Sequence, residues 1–285
     1  MRDLPLLAAR LFHTPLLAHP GKARQVAAAF LMARGTRIIA MSEQVPGGLQ
    51  VRRGKPYAEI EGVAMIPIEG SLAHKTGNLD AESGVMGYDG IVTKLRTASA
   101  DPSIRAIWLD ISSGGGEVEG AYAAADEIMR LSARSGGKPI WAMVNEHAYS
   151  AAYLLASQAD VVVAPKTGGV GSIGVIMMHA DFSQQLEDEG VRVTIIRAGE
   201  KKAKGNPYEP LDKATMSEWQ AEAERVRGIF ADYVARSRPI SREAVLATEA
   251  GVFNGEEGKA LGLVDAVASE VDAFAALVSE IRRTA

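Results

Sequence analysis

Cysteine is absent from this chain. That removes disulfides, thiolate metal sites and cysteine nucleophiles together. Also missing is any apolar run long enough to cross a bilayer. The best stretch, Ala151 to Ala164, carries Gln158 and Asp160. Neither sign of charge dominates: 31 basic against 35 acidic side chains leave a net charge of −4. A protein that grips a nucleic-acid backbone would carry a basic excess. The N-terminus is apolar in flavour, but Arg10, His13, Pro15 and Pro20 interrupt it. No small-residue cleavage site follows, so it does not read as a secretory signal. Nor does any segment recur at a fixed period.

What is present is an ordinary globular composition, 47% hydrophobic and 23% charged over 285 residues. That is enough chain for one large core or two modest ones. Residues 1–36 predict two short helices, LPLLAARLF and ARQVAAAFLMAR, forming an arm. Residues 42–60, rich in Gly, Pro and charge, predict a linker. From Gly62 onward strands alternate with helices. VAMIPIEG, RAIWLDI, KPIWAMV, the stretch around Ile173–Met178 and VRVTIIR read as strands. Helices are predicted at 89–98, 117–134 and 182–189. Residues 72–88 read as a mobile loop. The alternation predicts an α/β fold, a mostly parallel sheet flanked by helices. Helices at 214–238, 241–248 and 271–283 close the chain. The expected division is an arm and linker at 1–60, an α/β domain at 61–267 and a C-terminal helix at 268–285.

The organising stretch runs from Trp141 to Gly174. A strand meets a small-residue helix at Ser150, where an α/β protein can expose one hydroxyl beside free backbone N–H groups. Ser150 reads as a nucleophile or, on local sequence alone, as a helix cap. After the strand ending at Ile111 come Ser112, Ser113, Gly114, Gly115 and Gly116. Glycines there predict a turn whose amides approach a ligand closely. The run lacks the lysine and the spacing of a phosphate loop, so an oxyanion hole is its other use. A serine nucleophile needs a base. His147 lies three residues before Ser150, but no carboxylate is spaced to orient it, and it reads as a turn or surface residue. His13, His19, His74 and His179 show no partner pattern either, although His74 falls in the loop at 72–88. Lysine is the alternative, because a desolvated amine is neutral near neutral pH. Lys201, Lys202 and Lys204 follow VRVTIIR directly, and spacing alone does not choose among them.

Four motifs occur in order: ISSGGGEVEGAY, AYSAAYLLAS, GGVGSIGV with VTIIRAGEKKAKGNPYEP, and FNGEEGKALGLVD. Over about 62–267 the chain resembles the S49 family of serine peptidases, the signal peptide peptidase A group with its phage-encoded capsid-protease relatives. That resemblance implies a ClpP/crotonase-like fold, Ser150 as nucleophile and Lys202 as general base. It also implies Ser172 as the side chain that holds the lysine amine. The implied oxyanion donors are the N–H of Ala151 and of Gly115, with Gly114 as the fallback. No cofactor or metal is implied. The family usually has proline where this chain has Ser113, a change expected to loosen the loop while leaving its amide donors in place.

The resemblance further implies a polypeptide substrate and a homo-oligomer. The lack of a membrane span points to the phage branch, where the substrates are capsid or scaffold proteins and the protein is cytoplasmic or procapsid-associated. The chain's end soon after its last helix is read as leaving no room for a fused scaffold. A cytosolic bacterial peptidase of the same family is the alternative context. Two other classes stand beside this one: a crotonase-type acyl-CoA enzyme using Glu117 or Glu119, and an inactive assembly module.

Overall fold

The structure is a computed structural model that describes residues 15–18, 55–76 and 84–283. The two helices expected in the arm lie outside these residues. Within the arm, Leu16–Ala18 forms a strand, β1. The segment expected as a linker ends in a second strand, β2 at Ala58–Ile60, which pairs antiparallel with β3 at Val63–Ala73. A short β4 (Val85–Gly87) leads into helix α1 (Tyr88–Ala100). Then come β5 (Ala106–Glu117), α2 (Ala121–Leu131), β6 (Ile140–Tyr149), α3 (Ala151–Ser157) and β7 (Val161–Ala164).

Strands β3, β5, β6 and β7 lie side by side and parallel, as the alternation predicts. Their side chains divide by the two-residue period of a strand. Ile66, Ile68, Leu109, Ile111, Ala142 and Val144 face one core, beneath α1, α2 and α3. Val63, Trp108, Trp141, Met143 and Val163 face the other. That second face is closed by helix α8 at Glu270–Arg283, through Ala273, Leu277, Val278 and Ile281. Phe274 meets Trp108 edge-on, 5.4 Å between ring centroids. The sheet is therefore covered on both faces, which a parallel sheet of near-continuous apolar strands requires.

Two expected strands do not form. Residues around Ile173–Met178 contribute a single bridge at Ile176, and the strand of that region is β8, earlier, at Gly169–Gly171. Residues 191–197 form no strand pairing among the described residues, and Ile196 is 95% exposed. The helix between them, α4, is Ser183–Asp188. The long helix α5 (Lys213–Ser237) packs on the first core through Phe230, Ala231 and Val234, and α6 (Arg242–Ala247) follows it. A pair of short strands, β9 (Val252–Phe253) and β10 (Ala266–Val267), flanks helix α7 (Gly255–Ala260).

One core carboxyl sits at a cost. Burial pushes Asp110 of β5 up to about 6; Glu270 and Glu69 add to the shift and Asn145 opposes it. Its Oδ1 has no hydrogen-bond partner among the described residues. The folded state holds this proton between about pH 4 and 6 where the unfolded chain has lost it, so stability falls as pH rises through that window. At pH 7 the charge is a standing cost of about 3 kcal/mol. Asp110→Asn is expected to raise the melting temperature at pH 7 by roughly 4–8 °C. The gain should shrink towards zero at pH 4, which thermal melts across that range would check.

Candidate active site

The glycine run is not a turn. Strand β5 continues through it to Glu117, held between Leu72 of β3, opposite Gly116, and β1 on its far flank. Gly115 has φ +91°, a conformation that only glycine adopts without strain. A Cβ built there would lie within 3.0 Å of the Leu17 carbonyl oxygen, the Ala151 nitrogen and the Ser150 Cβ. The absence of a side chain at this position is what lets three backbone segments converge on Ser150.

Strand β6 ends at Tyr149, and Ser150 turns the chain into α3 with φ 55° and ψ −121°. This is a left-handed φ on a residue that has a Cβ, a geometry costing of order 1–3 kcal/mol. Ser150 stands at the N-cap position, yet its side chain makes no capping hydrogen bond. Its Oγ is buried and has no hydrogen-bond partner among the described residues. The helix-cap reading therefore fails. What remains is a strained strand-to-helix elbow that holds one hydroxyl unpaired, beside an amide (Ala151) in the first turn of a helix, where N–H groups lack intrahelical partners.

Ser172 joins this cluster through the backbone. Strand β8 pairs parallel with the end of β6, Tyr149 opposite Gly171, and the Ser150 N–H donates to the Gly171 carbonyl at 2.9 Å. Ser172 follows with φ 54° and is 5% exposed. Its own N–H donates to Gly251 at 2.7 Å. The FNGEEGKALGLVD motif is the brace behind this arrangement. Phe253 and Val252 pair antiparallel with Val170 and Gly171. Asn254 and Glu257 form a capping box that starts α7.

Ser113 does more than the sequence suggests. Its hydroxyl donates to the Gly70 carbonyl at 2.6 Å and accepts the Gly115 N–H at 3.1 Å. The residue that replaces proline thus ties the loop to β3 instead of loosening it. It also engages the Gly115 amide, one of the donors expected to stay free.

Of the expected site residues, the fold brings together Ser150, Ala151, Gly114, Gly115 and Ser172. Lys202 makes no hydrogen bond to the Ser150 Oγ. It is exposed, its backbone N–H bonded to Gly199. Lys201 and Lys204 both reach Glu218, at 3.0 and 3.4 Å. None of the described histidines bonds to the nucleophile either, because the Ser150 Oγ accepts and donates nothing among the described residues. His147 lines a cleft with Glu69, Ser112 and Asn145, its ring 5.5 Å from that of Tyr149. His179 meets the Asn206 carbonyl at 2.9 Å, and the backbone N–H of His74 donates to the Glu117 carboxylate at 2.7 Å. His13 and His19 lie outside the described residues. Glu117 is tied down by that bond, and Glu119 is exposed.

Comparison with known proteins supplies the family. The model for Peptidase family S49 matches residues 132–282, just over half of the chain. Capsid assembly protease C of Escherichia phage lambda is 34% identical over 96% of this chain and 65% of its own. The Head-tail preconnector protein GP5 of Enterobacteria phage P21 is 35% identical over 98% of this chain and 58% of its own. Protease 4 of Haemophilus influenzae is 30% identical over 73% of this chain and 33% of its own. The chain spans less than two thirds of the length of each. The stretch that the family model matches contains Ser150, Ser172 and Lys202 but not the glycine run, whose place beside Ser150 comes from the fold. A match of that extent makes this chain a member of peptidase family S49.

Proposed function

We propose that the chain is a serine endopeptidase of phage head assembly, cutting capsid or scaffold polypeptides with a Ser150–Lys202 pair. The observation that carries the reading is Ser150 itself: a strained, buried elbow whose hydroxyl neither caps its helix nor bonds to anything described. A purely structural serine would relax or find a partner. That speaks against an inactive assembly module. The commitment of Glu117 to His74 speaks against a crotonase-type acid–base site. The two phage relatives favour the phage context over a cytosolic bacterial one.

In this reading Lys202, as the neutral amine, takes the Ser150 proton while Oγ attacks a peptide carbonyl. Ser172 holds the amine in place. The Ala151 N–H and a glycine-run amide receive the oxyanion, an interaction of roughly 3 kcal/mol per good donor. The Gly115 amide does so by leaving the Ser113 hydroxyl. The lysine then gives its proton to the departing amine, and water, deprotonated by the same lysine, hydrolyses the acyl-enzyme. A lysine serves as base only when its amine has left water for a site that disfavours charge. Lys202 therefore has to enter the buried Ser150 pocket. We infer that it comes from a second copy of the chain. The segment carrying it exposes Val191 at 48%, Val193 at 42% and Ile196 at 95%. These belong to a β-branched run that is suited to a strand and has no strand partner among the described residues.

The nucleophile is tested with a fluorophosphonate probe on the intact protein. Wild type should be labelled, and Ser150→Ala should lose the label entirely. Equal labelling of both would refute the assignment.

A further inference from the structure

Strand β1 lies where a peptide substrate would have to lie. It pairs antiparallel with the glycine end of β5, Leu16 opposite Glu117, Leu17 opposite Gly116 and Ala18 opposite Gly115. On its other side Leu16 exchanges both backbone hydrogen bonds with Ile176, at 2.9 and 3.0 Å. Three residues from a distant part of the chain are thus inserted as a strand between two edges of the site. This is the way extended peptides are bound by strand addition, with main-chain bonds for grip and buried side chains for choice. Both leucines are sunk into the protein: Leu16 is 4% exposed and Leu17 is fully buried in the first core.

The register sets a peptide carbonyl beside Gly115, on the side where Ala151 and Ser150 also approach it. The Leu17 oxygen, the Ala151 nitrogen and the Ser150 Cβ all lie within 3.0 Å of the one point above Gly115. A nucleophile and an oxyanion donor need a carbonyl close to both, and here a carbonyl of the chain itself stands beside them. The Ser150 hydroxyl is also out of solvent's reach, a state in which no outside polypeptide can approach it.

We propose that Leu16–Ala18 is an intramolecular plug: it sits in the groove that binds an extended apolar segment of the substrate, and it must leave before another polypeptide enters. The inference rests on Ser150 being the nucleophile. The plug and β2 belong to one chain, so the plug competes at the effective concentration of a linked ligand, on the order of millimolar. A substrate free in solution is at a disadvantage. Substrate concentrated in an assembly is not. The groove therefore favours cleavage where polypeptide is crowded, and its partner is an extended chain presenting adjacent aliphatic residues.

The absence of native cysteine allows a clean test. Residues that exchange both hydrogen bonds across antiparallel strands have Cα atoms about 5.5 Å apart, within reach of a disulfide. The full chain carrying Leu16→Cys and Ile176→Cys should crosslink on mild oxidation. Labelling of Ser150 by the fluorophosphonate should then fall at least about tenfold and recover on reduction, as expected when a tethered strand is locked in place. In a second variant, Leu16→Pro, the N–H that donates to Ile176 is gone. That protein, checked for a cooperative melt, should label about tenfold faster than wild type, because the plug has lost one of its anchors. A crosslink that forms without slowing labelling, a folded double-cysteine protein that does not crosslink, or a folded Leu16→Pro that labels at the wild-type rate would overturn the plug and leave Ser150 as nucleophile. No labelling of any form, reduced or unplugged, would overturn both.

Discussion

Lys202→Ala is expected to be as inactive as Ser150→Ala, and the two dead proteins folded together are expected to regain about a quarter of wild-type turnover, the share of mixed contacts in a ring of heterologous interfaces that pair an intact serine with an intact lysine. Each single variant should lose roughly 10³–10⁴-fold in kcat/KM, the scale of removing a nucleophile or its base. The recovery follows from where the lysine lies. Ser150 is enclosed with no partner for its hydroxyl among the described residues, while Lys202 is exposed on a segment whose apolar residues Val191, Val193 and Ile196 face outward. A site assembled within one chain would give no recovery, because every chain in the mixture lacks one of the two groups. A site assembled between copies gives recovery without any chain being whole. Turnover of a denatured protein substrate by the mixture, against each variant alone, separates the two. Lys201→Ala and Lys204→Ala serve as controls and should keep activity, since both amines engage Glu218.

The parts of this molecule that were legible in the sequence are those whose structure is set locally. RAIWLDI and KPIWAMV alternate between two cores, and residues that alternate in this way are buried on both faces of a sheet whatever lies further along the chain. Helix α1 was readable from its apolar spacing, with Ile91, Leu95 and Ala98 on the buried side. The glycine run was not readable. Ser-Ser-Gly-Gly-Gly has every mark of a turn, and only pairing with β3 on one side and β1 on the other keeps it extended. Leu16–Ala18 was hidden for a related reason. Three residues carry too little periodicity to declare a strand, and both partners lie roughly a hundred residues or more away. VRVTIIR erred in the opposite direction: its β-branched composition is suited to a strand, but a strand needs a neighbour, and none is present among the described residues. Of the site, Ser150 was legible because strand-to-helix punctuation marks it, whereas Ala151 and Ser172 were named only through the resemblance to family S49. The tie between Ser113 and Gly115 was not, since a departure from a family pattern tells what is lost and not what the new side chain will bond.

Gly115→Ala should cost more activity than any other change of a single methyl in this chain, and the reason can be divided into two measurable parts. The first is backbone strain. At φ +91° a side chain destabilises the fold by about 1–3 kcal/mol. The second is space, because the added carbon would stand within 3.0 Å of the Ala151 nitrogen and the Ser150 Cβ. Atoms that close must move apart, and the ones that move are the nucleophile's own carbon and the amide expected to hold the oxyanion. Loss of one well-placed donor costs about 10²–10³-fold, and misplacing the serine as well should bring the total to roughly 10³-fold or more in kcat/KM. Gly136 isolates the first part: it has φ +83°, a built Cβ there meets nothing within 4 Å, and it lies away from the elbow. Gly136→Ala should therefore show a fall in stability of the kind that left-handed backbone imposes, with turnover unchanged. If both substitutions lower the melting temperature but only Gly115→Ala abolishes cleavage and fluorophosphonate labelling, the convergence of β5, Ser150 and Ala151 is functional and not merely tight packing. Should Gly115→Ala melt lower yet cleave normally, the glycine run is scaffolding and the oxyanion is held elsewhere.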